Sequence, residues 1–189
     1  MIVPETVLTQ SLELRRPDLS DVDDIFVYGS DKDVAYYTDW KPVQRKAQLE
    51  ERLRNRKIEW ESGDAYYWVI TERGIGKAIG GISCTITGEN AEIGYLLNKD
   101  YWRRGYATEA ATAIVDWLKS VQAVTRIFAS CDMENMASIR VLEKIGMNKE
   151  RIIEKFLVRP NIDQSPRDAF LFSMELGHLK QNDLTSSEN

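Results

Sequence analysis

The chain has 189 residues and a single histidine, His178, close to its C-terminus. Ser-His-Asp and Cys-His catalysis both place a histidine beside the nucleophile, so neither is expected. Cysteine is almost as scarce. Cys84 and Cys131 stand far apart in apolar, strand-like contexts. They offer no four-ligand zinc cluster, so no metal is expected, and two buried reduced thiols in a cytoplasmic protein is the plain expectation. No apolar run approaches the roughly 20 residues of a membrane span. The opening MIVPETVLTQ lacks a basic stretch followed by an apolar one, so no secretory signal is read there. Positive charge is also short: 25 Lys and Arg against 30 Asp and Glu leave a net charge of −5. That balance argues against general nucleic-acid binding.

What is present describes one domain. Apolar residues make up 43% of the chain, too many for a disordered segment, and this length buries enough surface to fold without staples. Residues 1–10 read as an N-terminal extension, 11–180 as the domain and 181–189 as a loose polar tail. Leu12 and Leu14 alternate with Glu13 and Arg15 as a first strand. Pro17 closes it, and Asp18 caps a helix with Val22, Ile25 and Phe26 on one side. Residues 36–42 have no period and form an aromatic loop. Residues 44–61 make a charged helix with Leu49, Leu53 and Trp60 on one stripe. Strands follow at 66–71, 78–87 (interrupted by Gly80-Gly81) and 91–97, joined by short turns. A helix at 105–119, a strand at 124–131, a helix at 136–145 and strands near 152–158 and 169–176 complete the chain. The order β-α-α-β-β-β-α-β-α-β-β predicts an α/β fold: a mixed, mostly antiparallel seven-stranded sheet with helices on both faces.

Three segments can carry chemistry. At residues 98–110 a strand ends, Arg103, Arg104 and Gly105 follow, and a helix opens through Tyr106, Ala107 and Thr108. The first amides of a helix lack internal partners and lie at its positive end, a geometry suited to phosphate. Gly105 lets a ligand approach the backbone, Ala107 keeps the first turn slim, and the arginines add charge-assisted bonds. A strand-to-helix turn with exposed arginines is the plainer alternative. In the second segment Asn135 precedes a helix and Ser138 lies in its first turn. By itself this reads as an N-cap, with Gly146 as the stop. In the third, alternation puts Glu92, Gly94 and Leu96 on one strand face and Ile93, Tyr95 and Leu97 on the other. A carboxylate beside an apolar sheet can serve as a base. Pairing with a cross-strand cation is its more common fate.

The order and spacing of these segments resemble the GNAT superfamily of acyl-CoA-dependent N-acetyltransferases over nearly the whole chain, roughly residues 11–176. The nearest branch resembles the Rim-type ribosomal-protein N-terminal acetyltransferases. The features that carry the likeness are Leu12-Glu13-Leu14-Arg15, the Tyr-Trp-x-x-Gly-Tyr-Ala-Thr-Glu-Ala run at 101–110, and Asn135-x-x-Ser138 leading to Lys144-x-Gly146. The resemblance implies a central pair of splayed parallel strands that holds acetyl-CoA as co-substrate. Backbone groups of Tyr95, Leu96 and Leu97 would bond the pantetheine arm, amides of Arg103 to Thr108 the pyrophosphate, and Asn135 the cofactor beyond the splay. Departures also follow. Trp102 stands where the superfamily has Gln or Arg, a mark of the Rim-type branch. Leu142 replaces the tyrosine acid of many relatives, and Ser130 a glutamate of the alanine acetyltransferases. Ser138 then takes the acid role and Glu92 the base role, with direct attack by a neutral amine.

The acceptor implied is a primary amine: a peptide or protein N-terminus first, a polyamine or aminoglycoside alternatively. Tyr36, Tyr37, Asp39 and Trp40 flank it and suit a cation. Cytoplasmic location, a monomer or homodimer, and no membrane or direct nucleic-acid partner are the further expectations. Two other classes compete. A regulatory acyl-CoA-binding module without catalysis would keep the cofactor site and release no coenzyme A. A nucleotide-binding protein of another type ranks behind both: there is no G-x-x-x-x-G-K-[ST], and Gly74-x-Gly76 lies in an expected hairpin.

Overall fold

Leu12 and Leu14 are fully buried while Glu13 and Arg15 are only partly so, and this alternation makes Leu12–Arg15 a sheet strand, β2. The computed structural model describes residues 2–177, so His178 and the tail read at 181–189 lie outside the described residues. The other strands are β1 (Thr6–Leu8), β3 (Tyr66–Glu72), β4 (Ala78–Thr87), β5 (Asn90–Leu97), β6 (Arg126–Asp132), β7 (Asn148–Val158) and β8 (Pro166–Glu175). The helices are α1 (Val22–Gly29), α2 (Lys32–Ala35), α3 (Lys46–Ser62), α4 (Tyr106–Lys119) and α5 (Met136–Lys144). The strands form one sheet in the order β1-β2-β3-β4-β5-β6-β8-β7. Only β5 and β6 pair in parallel, with α4 as the crossover between them.

The sheet has eight strands, not the seven expected. The additional one, β1, lies within residues 1–10, which the sequence presented as an extension. Three residues are too few to show alternation. What orders them is tertiary: Val7 pairs with Leu14, the Trp68 indole N–H donates to the Pro4 carbonyl at 2.8 Å, and the Thr9 hydroxyl donates to Glu109 on α4 at 2.6 Å.

Helices cover both faces, as the element order predicts. On one face α4 and α5 bury Ala110, Ile114, Leu118 and Leu142 against Leu12, Leu14, Trp68, Ile70 and Ile127. On the other α1 and α3 bury Val22, Ile25, Leu49 and Leu53 against Val69 and Ala78. Asp18 caps a single 3-10 turn, Leu19–Asp21, that leads into α1. Cys84 and Cys131 are buried and free, and burial pushes their thiols up to about 12 and about 11. No helix among the described residues is long and apolar enough to cross a membrane, and no group of His, Cys, Asp or Glu among them is placed to hold a metal ion.

The parallel pair parts early. Its ladder covers Asn90↔Arg126, Ala91↔Ile127 and Glu92↔Phe128, and then ends. Beyond it β5 stays with β4 as far as Leu97↔Gly80, and β6 stays with β8 as far as Asp132↔Ala169. Each strand follows its own antiparallel partner, so a cleft opens between residues 93–97 and 129–132. Gly80 permits β4 to hold β5 here, because a Cβ on it would lie 2.5 Å from the Leu96 carbonyl oxygen.

Candidate active site

Two rows of backbone groups face the cleft. The Asn98 amide donates to Ile79 of β4 at 2.8 Å. Antiparallel alternation therefore turns the backbone of Leu96 toward β4 and that of Tyr95 and Leu97 toward the cleft. Of the three residues expected to bond a pantetheine arm, Leu96 is turned away, and its side chain packs against the α1 and α3 cluster. The Leu97 carbonyl already accepts the Trp102 indole N–H at 2.9 Å. Trp102 is thus a clamp on the end of β5. Tyr95 and the Leu97 amide are what β5 presents.

At the mouth of the cleft the chain turns from β5 into α4. Arg103 and Gly105 both take the left-handed conformation, with φ of 63° and 85°. Among the described residues the amides of Arg103, Arg104, Gly105, Tyr106, Ala107 and Thr108 have no hydrogen-bond acceptor; the first α4 amide to find one is Glu109, which donates to the Gly105 carbonyl at 2.9 Å. Six successive free N–H groups at a helix N-terminus form an anion cradle. The two arginines differ. Arg104 donates to the Asp100 carbonyl at 3.0 Å and lies 5.0 Å from the Tyr101 ring centroid. Arg103 is exposed and has no side-chain partner among the described residues. A Cβ on Gly105 would meet nothing within 4 Å. What requires glycine at this position is therefore its positive φ.

Across the cleft, Asn135 caps α5 by accepting the Ser138 amide on its Oδ1 at 3.1 Å, as the plainer reading held. The Ser138 hydroxyl lies 3.0 Å from the Tyr95 hydroxyl, and the Ser138 carbonyl lies 3.2 Å from it, so the single phenol proton can go to either oxygen. This contact joins β5 to α5 over the cleft. Burial pushes the Tyr95 phenol above its ordinary value, so it stays protonated and can hold the serine oxygen. Sequence reasoning assigned Tyr95 a backbone role only; a contact spanning 43 residues leaves no local signal. Leu142, where many relatives of the resembled family carry an acid, is 1% exposed and part of the core.

Glu92 stands at the last paired step before the cleft and on the α1–α3 face. It is exposed, yet the protein packed round it desolvates the carboxyl and raises its pKa. Among the described residues no cation forms an ion pair with it, so the cross-strand pairing that would make it structural does not occur.

The aromatic loop follows α2 and faces the end of β6. Tyr37 donates to the Glu134 carbonyl at 3.1 Å and packs edge-on against Tyr36, with centroids 4.9 Å apart. Its phenol is raised, first by burial and then by the charges of Asp132 and Glu134. Asp39 and Tyr36 are exposed. Trp40 is turned to α3, its ring 5.7 Å from the Arg52 guanidinium. The structure therefore brings Tyr37 to the cleft and gives Trp40 a packing contact. The turn between β7 and β8 was not singled out in the sequence, yet it closes this side. Asn161 donates to the Ala35 and Trp40 carbonyls at 2.6 and 2.8 Å. Arg167 on β8 forks onto Asp132, which is 2% exposed, at 2.7 and 3.2 Å. Burial works against the Asp132 anion, but Arg167 outweighs it and holds the carboxyl below its usual range.

Comparison with known proteins agrees with this geometry. Residues 11–148 match the family model described as an acetyltransferase (GNAT) domain. The chain is 30% identical over 155 residues to the uncharacterized N-acetyltransferase p20 of Bacillus licheniformis, covering 80% of this chain and 87% of that one. Its fold is similar to the crystal structure of a GNAT-family acetyltransferase from Bacillus anthracis, at a TM-score of 0.78 and 25% identity, covering 90% of this chain and 98% of the other. It is also similar to RimL, a ribosomal L7/L12 alpha-N-protein acetyltransferase in complex with coenzyme A, at a TM-score of 0.82 and 18% identity, covering 93% and 100%.

Proposed function

This chain belongs to the GNAT acetyltransferase family, and from that premise we propose that it moves an acetyl group from acetyl-CoA to the amine of a peptide or protein N-terminus. The observation that carries this reading is the early parting of β5 and β6 beside six free amides at the head of α4. A thin, extended ligand with a pyrophosphate at one end matches both features. The amides of Arg103, Arg104, Gly105, Tyr106, Ala107 and Thr108 would hold the pyrophosphate, with Arg103 adding charge. The amides of Tyr95 and Leu97 would bond the pantetheine arm, and Asn135 would border it on the far side, its Nδ2 remaining after Oδ1 has capped α5.

Acetyl-CoA supplies an activated acyl group as a thioester. The chain supplies placement and proton transfer. Glu92 takes the proton of the incoming ammonium, directly or through water, and the desolvation that raises its pKa makes it a stronger base than a solvated carboxylate. A cleft-facing amide of β5 donates to the carbonyl oxygen as negative charge builds there. When the Tyr95 hydroxyl, 3.0 Å away, donates to the serine oxygen, Ser138 is free to donate its own proton to the departing sulfur. No enzyme nucleophile is required. Tyr36, Tyr37 and Asp39 would flank the acceptor. Support for a peptide N-terminus comes from the aromatic, Asp-bearing loop of an acidic chain and from the similarity of fold to RimL.

The test is an acceptor panel with acetyl-CoA, read as thiol release: short peptides with free N-termini, the same peptides blocked, a polyamine and an aminoglycoside. Turnover confined to free N-termini is expected. Turnover confined to the small polyamines would refute the peptide assignment, and binding of acetyl-CoA without turnover of any amine would refute transfer.

A further inference from the structure

One buried charge near the cleft has no counterpart among the described residues. Arg159 follows the last residue of β7 and is only 8% exposed. Among the described residues its guanidinium has no hydrogen bond and no ion pair. Two other cations of this corner are paired: Arg167 holds Asp132 and Glu134, and Lys99 holds Asp31 and Asp33. A buried cation without an anion is costly, and folded chains seldom keep one unless something supplies the anion.

Its position is defined. Pro160 restricts Arg159 to extended backbone, and the Arg159 carbonyl accepts the amides of Ile162 and Asp163 at 2.8 and 3.0 Å. Asn161 ties the same turn to the aromatic loop. The charge of Arg159 is felt by Cys131 and Asp132, at the end of β6. The registers Val158↔Pro166 and Asp132↔Ala169 set Arg159 beyond the end of β6, beside the aromatic loop that Asn161 clamps.

We propose that Arg159 binds a carboxylate carried by the acceptor within one residue of its amine. The proposal rests on the acetyl-transfer reading and names its substrate class: an N-terminal Asp or Glu of a peptide, or a free amino acid. A guanidinium forks onto a carboxylate with two parallel hydrogen bonds. One unpaired cation matches one monoanion, which favours carboxylate over a phosphate dianion. The same positive charge disfavours an ammonium nearby and so promotes the neutral amine that attacks.

The experiment compares the intact chain with Arg159→Met in three readings. Without ligand, Arg159→Met melts at the same or a higher temperature, because an uncompensated charge is removed; a large fall would make Arg159 a structural cation and overturn the proposal. In thiol release, kcat/KM is at least tenfold higher for a peptide beginning with Glu than for one beginning with Gln, or for glycine than for glycinamide, and whichever pair shows it identifies the source. In Arg159→Met that ratio falls to near 1. A ratio near 1 in the wild type, or one unaltered by the substitution, overturns the proposal. The third reading needs no turnover. N-acetylglycine raises the melting temperature of the wild type but not of Arg159→Met, and N-acetylglycinamide raises neither. If no amine releases thiol, transfer fails while this arm still reads Arg159. A shift with methyl phosphate and none with N-acetylglycine would overturn the carboxylate assignment.

Discussion

Serine is a weak acid, and its usefulness as a proton donor depends on what holds its oxygen. Ser138 has the Tyr95 hydroxyl 3.0 Å away. With the tyrosine donating, the serine proton is free to turn toward the sulfur. Ser138→Ala should lower kcat on the order of 10²-fold, the low end for general acid catalysis, with acetyl-CoA affinity nearly retained, because the step occurs late. Tyr95→Phe removes one hydrogen bond and keeps the ring, so a loss of kcat on the order of tenfold is expected, equivalent to about 1.4 kcal/mol. Steady-state kinetics with a good acceptor checks both; full kcat in Ser138→Ala would leave the serine a helix-cap neighbour only. Glu92 is read through pH. Its folded carboxyl is raised by desolvation, so it favours the folded state in its protonated form, and that contribution is lost as the pH rises through the folded pKa. At pH 7 the carboxylate is a small burden on the fold. Glu92→Gln should therefore keep or raise the melting temperature at pH 7 while losing activity, and should recover part of that activity at high pH, where the amine is free. A pH–rate profile identical to the wild type would make Glu92 a solvated strand residue.

In the proposed reading, cofactor binding depends on the loop from β5 to α4. Gly105 sits at φ 85° with open space at its Cβ position. Valine there clashes with nothing in the protein but strains the backbone by about 1–2 kcal/mol, and relief of that strain would rotate the cradle amides. Gly105→Val should thus abolish the rise in melting temperature that acetyl-CoA gives the wild type by mass action. An unchanged rise would remove the pyrophosphate from this loop. Much of this element was legible beforehand, since free N-terminal amides and a glycine before a helix are local features of residues 103–108. So were β2 and β5, whose alternation needs no partner to be seen. The rest is tertiary. β1 is fixed by Trp68 and Glu109; the orientation of Leu96 depends on its pairing with β4; the Tyr95–Ser138 contact and the Asn161 clamp join residues 43 or more apart. Arg159 carries no pattern in sequence, because being unpaired is a property of its surroundings.

At the scale of the whole molecule, the proposed reaction needs two strands that part while the sheet stays intact. β4 and β8 make that possible by holding β5 and β6 from outside, and the two helical layers seal the faces. The same packing leaves the chain without an activated thiol: Cys131 and Cys84 are buried and pushed up to about 11 and about 12, so almost no thiolate exists at neutral pH. Direct transfer from the cleft to the amine is then the central claim. It is tested most directly by mixing the protein with acetyl-CoA, with and without a free-amine peptide, and following thiol release beside the mass of the intact protein. The account predicts that thiol appears only when the amine is present, that the peptide gains the acetyl group, and that the protein mass never changes. A burst of thiol matching the protein concentration, together with an acetylated protein in the absence of amine, would contradict it.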